Sequence, residues 1–599
     1  MTGILMNLFL QKRHYTPNYL SSIRNNHHPL LLNIDYACQL LKDIHDKQEK
    51  IVIMPDFDTD GISAGTLGLA GMSELGFNVS RYTPDNTKGY GIHVSDVKKV
   101  IQQFPDVKWI ITCDVGITCY DAFLYAYKHG LKVIVTDHHE EKEDKPVAKY
   151  TEVVNGKKVT VIGTNQLLCE TIVNPCQLKE TYPLRDICGA YVLWQVLSRY
   201  SRLYTNSFLQ EQIWRLRLFA GMGTIGDLMR LINENRILVN DAVSLFKFIY
   251  NHGDSSVVDL LPGNPIYKEA FRGMFNLLVQ MNDNSSIQQI DEKFMGWTMA
   301  PTFNSAKRLE MSMEIVFGIF TFTNNDDSIQ NAHLLVMANE NRKVMVKQYK
   351  AQIKKEEKAN QQKMSPYIYF TDAPGGVLGL LANQFDEISG KPTFVLNRQT
   401  LSGSGRSFDY FPVITKTKHT EFEKLINGHE EAFGIHFDSM NQVKRFYQFL
   451  RQVVPPLYEK FKDKLIPYDL TLGLGEFNLP IDREFHVSEC FDFVRESQHL
   501  KPFGAGFAEP RIRIVFNPQE ATIKTMGSSN QHLKIVLPNQ VELISWNNAQ
   551  MRSYLLDKKE AEFIGNFTIN NFGGLENLQM IGDVMVKKDK EEGGLANDL

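Results

Sequence analysis

The sequence lacks several features that would restrict its class. Its 599 residues include only seven cysteines, an odd number, and no CxxC pair. We therefore expect neither a secreted disulfide framework nor a thiolate zinc site, but reduced cysteines in the cytosol. No run of about 18 uncharged apolar residues occurs, so no membrane-spanning helix is expected. At the N-terminus apolar residues precede basic ones, the reverse of a signal peptide, and we expect a cytoplasmic protein.

The sequence also lacks an excess of positive charge. Sixty-five Lys and Arg against 69 Asp and Glu give a formal charge of -4. This excludes a uniformly basic protein that coats nucleic acid, so any phosphate backbone must meet a local basic surface. With 43% hydrophobic and 22% charged residues the composition is that of a globular protein, and the length predicts about three to four domains.

Short β-branched runs alternate with amphipathic helical segments in the first third of the chain. The runs lie at 51–55, 109–113, 131–136 and 171–173. Buried strands that alternate with helices predict an α/β fold with a parallel, doubly wound sheet.

Changes of pattern further along predict the remaining domains. The predicted parts are a parallel-sheet domain with a helical part (1–327), a connecting helix (328–363), a smaller α/β domain (364–460), a strand-rich barrel or sandwich (461–586) and a disordered tail (587–599).

The connecting helix carries lysines at steps of three or four, which places them along one face. They are Lys343, Lys347, Lys350, Lys354 and Lys358. Two interpretations are equally open: a solvated helix between two domains, or a basic rail for a phosphate backbone.

Acidic and imidazole side chains follow three of the predicted strands. They are Asp56, Asp58 and Asp60 after the first run, Asp114 after the second, and Asp137, His138 and His139 after the third. The carboxyl ends of parallel strands meet at one edge of the sheet, near the point where strand order reverses. Carboxylates about 4 Å apart repel by about 4 kcal/mol at an effective dielectric of about 20, so a cation is expected among them. Oxygen ligands with one or two imidazoles favour Mn²⁺ or Mg²⁺ over a structural zinc.

Each of these features alone has an ordinary structural explanation. A DxDxDG string can be a turn or a calcium-type loop, a lone Asp after a strand is often a helix cap, and a His pair is often structural. All three in order, each after a predicted strand, favour a metal site. One Asp shared by two metals is the usual device for phosphodiester hydrolysis.

The motifs together resemble the DHH phosphoesterase superfamily. They are PDFDTDG, ITCDVGI, VTDHH and, further on, GTIGDLMRL with Asp227. Other segments resemble RecJ-type single-strand exonucleases: GYG (89–91), VNP (173–175), ENR (234–236) and APTFNSAKRLE (300–310). The segments GGVLGLLANQFDEISGKPTFVL (375–396), SGSGRS (402–407) and NGH (427–429) resemble the DHH-associated domain. PFGAGFAEP (502–510) and the strands after it resemble the OB-fold domain of RecJ.

This resemblance implies an activity and a metal site. The implied activity is 5′-to-3′ hydrolysis of single-stranded DNA with two Mn²⁺ or Mg²⁺ ions, in DNA repair and recombination. Asp58, Asp60, Asp114, His138 and Asp227 match family metal ligands, and Asp56 matches a family acid that we assign to the metal site. We assign His139 to the metal site or the scissile phosphate, and Asp137 to a ligand or a carboxylate that orients an imidazole. Asp114, His139 and Asp137 form the predicted catalytic group.

The resemblance also implies a substrate-binding group. Arg308, Ser404 and Arg406 match positions that grip DNA near its 5′ phosphate, and guanidinium groups bind phosphate bidentately. The glycines at 403 and 405 are expected to let backbone N–H groups approach an anion. Gly428 and His429 match a Gly-His element of the same domain, although a structural His is nearly as plausible.

Two departures from the family pattern are visible. Ala373-Pro374 stand where RecJ proteins commonly have Trp-His, which removes an expected backbone-contacting histidine. An additional segment follows His139, in which TEVV-NG-KKVTV predicts a β-hairpin with a type I′ turn at Asn155-Gly156. This hairpin either shapes the entrance of the site or is a surface feature.

Three functions are considered. A RecJ-like exonuclease is favoured, because the strand-rich region suits strand binding, with Phe503, Phe507 and Trp546 as candidate stacking residues. The second is a DHH hydrolase of short oligonucleotides, cyclic dinucleotides or pyrophosphate, and the third is a non-catalytic single-strand-binding scaffold. All candidate ligands are present, which argues against the third. We expect single-stranded DNA as partner, a helicase or single-strand-binding protein as candidate partners, a monomer, and no membrane.

Overall fold

The computed structural model describes residues 3–16, 29–85, 89–143, 145–251, 262–285, 289–322, 324–408, 410–428, 431–461, 468–475, 477, 479–572 and 574–585. The chain divides into two units, Asn26–Asp463 and Lys464–Leu599 together with Met1–Asn25. The predicted tail, 587–599, lies outside the described residues. None of the helices in the described ranges is long and apolar enough to cross a membrane.

Seven strands belong to the first domain. They are β1 (Lys50–Pro55), β2 (Val79–Arg81), β3 (Val107–Cys113), β4 (Lys132–Thr136), β5 (Lys149–Val154), β6 (Lys157–Ile162) and β7 (Thr171–Val173). Five of them form a parallel sheet in the order β2-β1-β3-β4-β7. Nearly every residue of β1, β3 and β4 is buried, as expected of a sheet covered on both faces. The predicted doubly wound α/β class is confirmed.

The strand order places the strand ends side by side. The chain runs from β1 to β2 on one side and then returns to β3 on the other, so the order reverses between β1 and β3. The final residues Pro55, Cys113, Thr136 and Val173 are in register with one another across the sheet. Residues that directly follow these strands therefore gather at one edge, at the switch point where ligands bind in this fold class.

The additional segment after His139 forms the predicted hairpin. Strands β5 and β6 pair antiparallel, and Asn155 and Gly156 have φ values of 51° and 75°, as a type I′ turn requires. Tyr150 is buried against Tyr125, with ring centroids 5.1 Å apart. Val153 is 67% exposed. The hairpin is thus anchored by one face, and its role at the site entrance stays a prediction.

Helices flank the sheet and form the rest of the first domain. They are Ile34–Asp46, Thr59–Glu74, Val94–Gln103, Tyr120–Lys128, Gly189–Tyr204, Ser207–Arg215, Arg217–Gly226, Asn233–Asn251, Pro265–Ser285, Glu292–Phe294, the π-helical turn Met295–Met299, Ala300–Phe303, Ser305–Arg308 and Met313–Phe317.

A long helix, Asn325–Lys358, follows the first domain. The Asn324 side chain caps it by accepting from the Asp326 N–H at 3.1 Å, so the helix begins earlier than the predicted 328–363 and also ends earlier. Its Val346 and Ile353 are buried in the core of the second domain. The predicted lysine row is exposed except for the half-buried Lys350, and its role as a basic rail stays a prediction.

The second domain contains a mixed five-stranded sheet in the order β11-β12-β10-β9-β8. Its strands are β8 (Ile368–Thr371), β9 (Thr393–Asn397), β10 (Ser402–Arg406), β11 (Ile426–Gly428) and β12 (Ala432–His436). Strands β8 and β9 are parallel and the other neighbours antiparallel. Its helices are Gly375–Ser389, Val413–Thr417, the 3₁₀ turn Glu423–Leu425 and Met440–Phe461.

The C-terminal unit is built on an eight-stranded mixed sheet in the order β14-β13-β15-β19-β20-β18-β17-β16. Its strands are β13 (Leu470–Leu474), β14 (Arg483–Glu484), β15 (Ile512–Phe516), β16 (Thr522–Met526), β17 (His532–Val536), β18 (Glu542–Ser545), β19 (Ala561–Phe572) and β20 (Leu575–Met585). Its helices are Ile4–Lys12, Val487–Ser497, the 3₁₀ turns Gln498–Leu500 and Pro518–Glu520, and Met551–Leu556.

The first helix belongs to this C-terminal unit, and not with residues 26–327 as the predicted boundary has it. Arg13 Nε lies 2.6 Å from Asp469 Oδ1, and the backbone N–H of Gly3 donates to Glu496 Oε1 at 2.7 Å. Such contacts join residues more than 450 positions apart, so no local sequence pattern records them.

Two of the three candidate stacking aromatics in this unit are core residues. Phe503 is 7% and Phe507 1% exposed, and the Phe507 ring stacks on Tyr15 at 5.1 Å. Trp546 is 50% exposed. Of the three, Trp546 alone presents a ring to solvent, and the proposed stacking role is corrected for the two phenylalanines.

Candidate metal centre and basic cleft

The predicted carboxylates and imidazoles meet at the carboxyl edge of the parallel sheet. Asp56 and Asp114 continue the strand pairing beyond β1 and β3: the Asp56 N–H donates to the Cys113 carbonyl at 3.1 Å, and the Asp114 N–H donates to the Thr136 carbonyl at 3.0 Å. Asp114 then turns into the left-handed region, with φ 66°. Because the backbone of each residue is fixed by its neighbour, the side chains leave the same edge together.

The described residues contain three groups of possible metal ligands. Within each group the ligand atoms lie within 4.8 Å of one another, and Asp114 belongs to all three groups. The groups are Asp60, Asp114, His138 and Asp227; Asp56, Asp58 and Asp114; and Asp114, His138 and His139. A carboxylate common to two ligand groups is what a bridging ligand between two cations requires. The structure thus brings together the six predicted metal residues and His139.

Asp58 and Asp60 are held by helix N-termini. Asp58 caps the helix Thr59–Glu74, with Oδ1 accepting from the N–H groups of Asp60 at 3.0 Å and Gly61 at 3.1 Å. Asp60 in turn accepts from the N–H groups of Gly189 at 2.6 Å and Ala190 at 3.1 Å, which begin the helix Gly189–Tyr204. The positive end of each helix dipole stabilises the carboxylate beside it.

Sequence reasoning missed two glycines that make room for this cluster. A Cβ on Gly223 would lie 2.0 Å from Asp60 Oδ1, and a Cβ on Gly189 would lie 2.5 Å from Asp114 Cβ. Both glycines stand within helices, where sequence pattern alone gives no sign of their function. Only the close approach of two helices to the sheet edge requires them.

Asp137 orients its neighbours. Its Oδ1 accepts from the N–H of His138 at 2.7 Å and lies 2.8 Å from His139 Nδ1, while Oδ2 accepts from the Ile117 N–H at 2.9 Å. Burial is the largest single effect and opposes ionisation, but the hydrogen bond to His139, the charges of both histidines and the Ile117 N–H together outweigh it, and the pKa of Asp137 is lowered. Its oxygens are thus engaged by the chain, and of the two predicted roles the structure favours the orienting carboxylate.

Two residues that sequence reasoning left without a role contact His139, one at its backbone and one at its imidazole. Asn174, in the VNP motif after β7, donates from Nδ2 to the carbonyl of His139 at 3.0 Å. The Tyr90 hydroxyl, in the GYG motif, lies 3.2 Å from His139 Nε2. Both motifs were visible in the sequence, but only the fold shows that they meet at His139.

The electrostatics of the cluster call for a cation. Burial and then the charge of Asp227 raise the pKa of Asp60 to about 6, and burial and then Asp60 raise the pKa of Asp114 well above its ordinary value. Burial and neighbouring carboxylates also raise the pKa of Asp56 and of Asp58. These directions are what crowded buried carboxylates show in the absence of a counter-charge.

Two polar atoms at the centre of the cluster are unsatisfied. His138 Nε2 lies 3.1 Å from Asp114 Oδ1 and 3.2 Å from Asp227 Oδ2. Nevertheless neither His138 Nε2 nor Asp114 Oδ1 forms a hydrogen bond within the described part of the chain. Buried donors and acceptors without a partner are unusual. Their position fits a divalent cation bound between them.

A cleft of about 580 Å³ opens beside this cluster and extends to the second domain. Its lining is Asp58, Asn304, Lys307, Arg308, Glu310, Gly375, Gly376, Gly379, Ser404 and Arg406. The three residues predicted to grip the 5′ phosphate, Arg308, Ser404 and Arg406, are thus brought together, although they come from two domains.

The cations of this cleft lack anionic partners. Within the described residues, no carboxylate oxygen lies within 4.0 Å of a side-chain nitrogen of Lys307, Arg308 or Arg406. Burial, then Arg342 and Arg406, lower the pKa of Arg308 to about 10, and burial lowers that of Arg406. Half-buried cations that repel one another form a site for an anion with several oxygens, such as a phosphate.

The glycines of SGSGR have a different function from the predicted one. The segment is strand β10, paired on both sides by β9 and β12, so its N–H groups belong to the sheet. A Cβ on Gly405 would lie 2.2 Å from the Phe433 ring, and one on Gly403 would lie 2.1 Å from the Val395 carbonyl. The glycines therefore allow close packing, and the side chains of Ser404 and Arg406 face the cleft.

Of the remaining predicted element, Gly428-His429, only Gly428 is described. Gly428 ends the edge strand β11 with φ 136° and is absent from the described cleft lining. His429 lies outside the described residues.

Comparisons with known proteins agree with this architecture. Residues 50–193 match the DHH family, N-terminal domain, and residues 481–583 match the RecJ OB domain. The single-stranded-DNA-specific exonuclease RecJ of Haemophilus influenzae is 24% identical over 585 residues, which cover 94% of this chain and 92% of that protein. RecJ of Escherichia coli is 24% identical over 592 residues, covering 92% and 90%.

A solved structure shares the fold. The crystal structure of RecJ in complex with Mn²⁺ from Thermus thermophilus matches with a TM-score of 0.69 at 19% identity, covering 99% of this chain and 78% of that chain. The segment that carries the first three metal-site motifs is therefore a DHH-family N-terminal domain. Over nearly its whole length the chain is similar to RecJ exonucleases, and the resemblance predicted from the motifs is confirmed.

Proposed function

We propose that this chain is a 5′-to-3′ exonuclease that hydrolyses single-stranded DNA with two divalent metal ions, in DNA repair and recombination. The observation that carries the proposal is the position of Asp114, common to three ligand groups, beside a cleft of unpaired cations. The similarity to single-stranded-DNA-specific exonucleases supports the substrate class.

The residues present fit two Mn²⁺ or Mg²⁺ ions. One set of ligands is Asp60, His138 and Asp227, the other is Asp56 and Asp58, and Asp114 is common to both. Bound there, the ions would neutralise the phosphate and make a water molecule more acidic. An oxygen-rich set with few imidazoles is suited to these hard cations.

The chain's own side chains position the substrate. Arg308, Ser404 and Arg406 would hold the 5′-terminal phosphate in the cleft, since guanidinium forks match phosphate geometry. Asp137 fixes the orientation of His139 through the 2.8 Å contact with Nδ1. Because Asp58 of the carboxylate cluster also lines the cleft, a strand held there by its terminal phosphate would present its next phosphodiester to the carboxylate edge. This arrangement favours stepwise removal of nucleotides from the 5′ end.

The alternative of a small-substrate hydrolase has less support. Such an enzyme needs only the unit that holds the cluster and the cleft, whereas this chain adds a RecJ OB domain suited to binding a strand. We place the protein in the cytoplasm, acting as a monomer with single-stranded DNA, and a helicase or a single-strand-binding protein as candidate partners.

Digestion of end-labelled strands tests the proposal. We expect Mn²⁺-dependent release of mononucleotides from 5′-phosphorylated single-stranded DNA, with little cleavage of blunt duplex DNA. Digestion of RNA of the same sequence tests whether the protein discriminates between ribose and deoxyribose, because the 2′-hydroxyl distinguishes RNA from DNA. Cleavage only of dinucleotides or cyclic dinucleotides would replace the proposal by the small-substrate alternative, and degradation from the 3′ end would reject the polarity.

A further inference from the structure

Lys307 stands at the junction between the carboxylate edge and the arginine cleft. It lies on the short helix Ser305–Arg308, and its Nζ is 3.7 Å from the centroid of the Phe57 ring. Phe57 separates Asp56 from Asp58 in the sequence, so the ammonium group is held beside the end of β1. The cation–π contact fixes the direction of a side chain that would otherwise be mobile.

The ammonium group of Lys307 is near both the carboxylate edge and the arginine cleft, but it forms no ion pair with a described carboxylate. Its charge acts on both Asp56 and Asp58. Nevertheless no carboxylate of the described residues is within 4.0 Å of its Nζ. Lys307 also lines the cleft with Arg308 and Arg406. The positive charge of Lys307 is therefore available to an anion that enters the cleft.

The groups that line the cleft indicate which anion Lys307 would contact. If the 5′-terminal phosphate lies at Arg308, Ser404 and Arg406, the next phosphate along the strand must lie at the carboxylate edge to be cleaved. Lys307 lines the cleft together with Asp58 and Arg308, and its charge acts on Asp56 and Asp58 at the carboxylate edge, so it is near both groups. A lysine ammonium is a compact charge with three donors, suited to a non-bridging phosphate oxygen.

We propose that Lys307 is a catalytic residue that contacts a non-bridging oxygen of the scissile phosphate. This inference rests on the proposed function and adds a residue to it. The phosphate gains negative charge on the way to the transition state, so the contact strengthens there. Loss of Lys307 therefore lowers kcat more than it raises KM, whereas loss of a residue that holds the terminal phosphate acts mainly on KM.

Two ligands that differ by one nucleotide, and therefore by the internal phosphate position, test the assignment by binding alone. The first is a 5′-phosphorylated dinucleotide whose internal linkage is a non-hydrolysable methylene phosphonate, and the second is the 5′-mononucleotide. Calorimetry in Mn²⁺ compares the wild type with Lys307→Met, Lys307→Arg, Arg406→Ala and Lys128→Met. Lys128 is an exposed lysine outside the cleft and serves as the matched control.

The expected pattern separates the two phosphate positions. Lys307→Met should weaken the dinucleotide about tenfold, the worth of one charge-assisted hydrogen bond, and leave the mononucleotide within about twofold. Arg406→Ala should weaken both ligands, Lys307→Arg should recover part of the dinucleotide affinity, and Lys128→Met should change neither. On single-stranded DNA, Lys307→Met should reduce kcat by about 10- to 100-fold, with KM changed less than about threefold.

The experiment distinguishes a failure of the Lys307 assignment from a failure of the proposed exonuclease function. An unchanged ratio of dinucleotide to mononucleotide affinity in Lys307→Met overturns the role of Lys307, even if the wild type degrades DNA as proposed. Equal weakening of both ligands would move Lys307 to the terminal phosphate and likewise overturn the assignment. A wild type that degrades no single-stranded DNA rejects the proposed function, while the binding ratio still reports on the lysine.

Discussion

Replacing Asp114 by Asn should make the metal-free protein more stable while removing its activity. Asn is nearly isosteric and tolerates the left-handed backbone at this position, where φ is 66°. The exchange deletes one charge from a cluster in which four other carboxylates, those of Asp56, Asp58, Asp60 and Asp227, share ligand groups with Asp114.

The magnitude follows from the spacing of the cluster. At the 4.8 Å limit of each group, two carboxylates repel by about 3 to 4 kcal/mol at an effective dielectric of about 20. Uptake of protons relieves most of this repulsion, as the raised pKa of Asp114 shows. We therefore expect a gain of about 1 to 3 kcal/mol in the free energy of unfolding without metal, and a rise in Tm of a few degrees.

The activity should move in the opposite direction. Loss of the shared ligand should remove at least one ion, and the rate should fall by about a thousandfold or more, equivalent to about 4 kcal/mol. Thermal denaturation in EDTA and with increasing Mn²⁺, together with digestion of labelled single-stranded DNA, measures both effects. More than about a tenth of the wild-type rate at saturating Mn²⁺, or a Tm in EDTA no higher than that of the wild type, would refute the reasoning.

Three further perturbations have defined outcomes. Arg406→Ala should raise KM for 5′-phosphorylated strands more than it lowers kcat, because the terminal phosphate carries the same charge in ground and transition states; an unchanged preference for 5′-phosphate over 5′-hydroxyl strands would contradict this. A fragment spanning 26–463, the boundaries of one structural unit, should still cleave very short oligonucleotides but bind long strands more weakly and with a flatter salt dependence; a soluble fragment as processive as the full chain would assign the other unit another function. Asp386→Asn should raise Tm more at pH 8 than at pH 5: burial raises the pKa of Asp386 from 3.8 to about 7, so the folded state binds this proton more tightly and the carboxyl destabilises the fold as pH rises through that interval. Equal Tm differences at pH 5 and pH 8 would count against this assignment.

Local patterns predicted much of the fold and the candidate site. The strands β1, β3 and β4 end where their apolar runs end, and the acidic residues follow directly. These strands were predictable because a parallel strand buried on both faces appears in the sequence as a continuous apolar run. The Asn155-Gly156 hairpin was predictable for the same reason, since a two-residue turn requires positive φ at both positions.

What the sequence concealed depends on contacts between distant segments. The helix start at Gly189 that holds Asp60, and the attachment of Arg13 to Asp469, join parts that no periodicity relates. SGSGR has the composition of a loop, but packing against Phe433 makes it a central strand. Lys307 lies within the APTFNSAKRLE segment, where no sequence pattern assigns it a role of its own, and only its place over Phe57 beside the carboxylates distinguishes it.

A manganese anomalous difference map of the crystallised protein tests the central claim most directly. The account predicts two peaks at the carboxyl edge of the parallel sheet, one beside Asp60, His138 and Asp227, the other beside Asp56 and Asp58, with Asp114 contacting both. A map with no peak at this edge, or with two peaks that do not share Asp114, would contradict it.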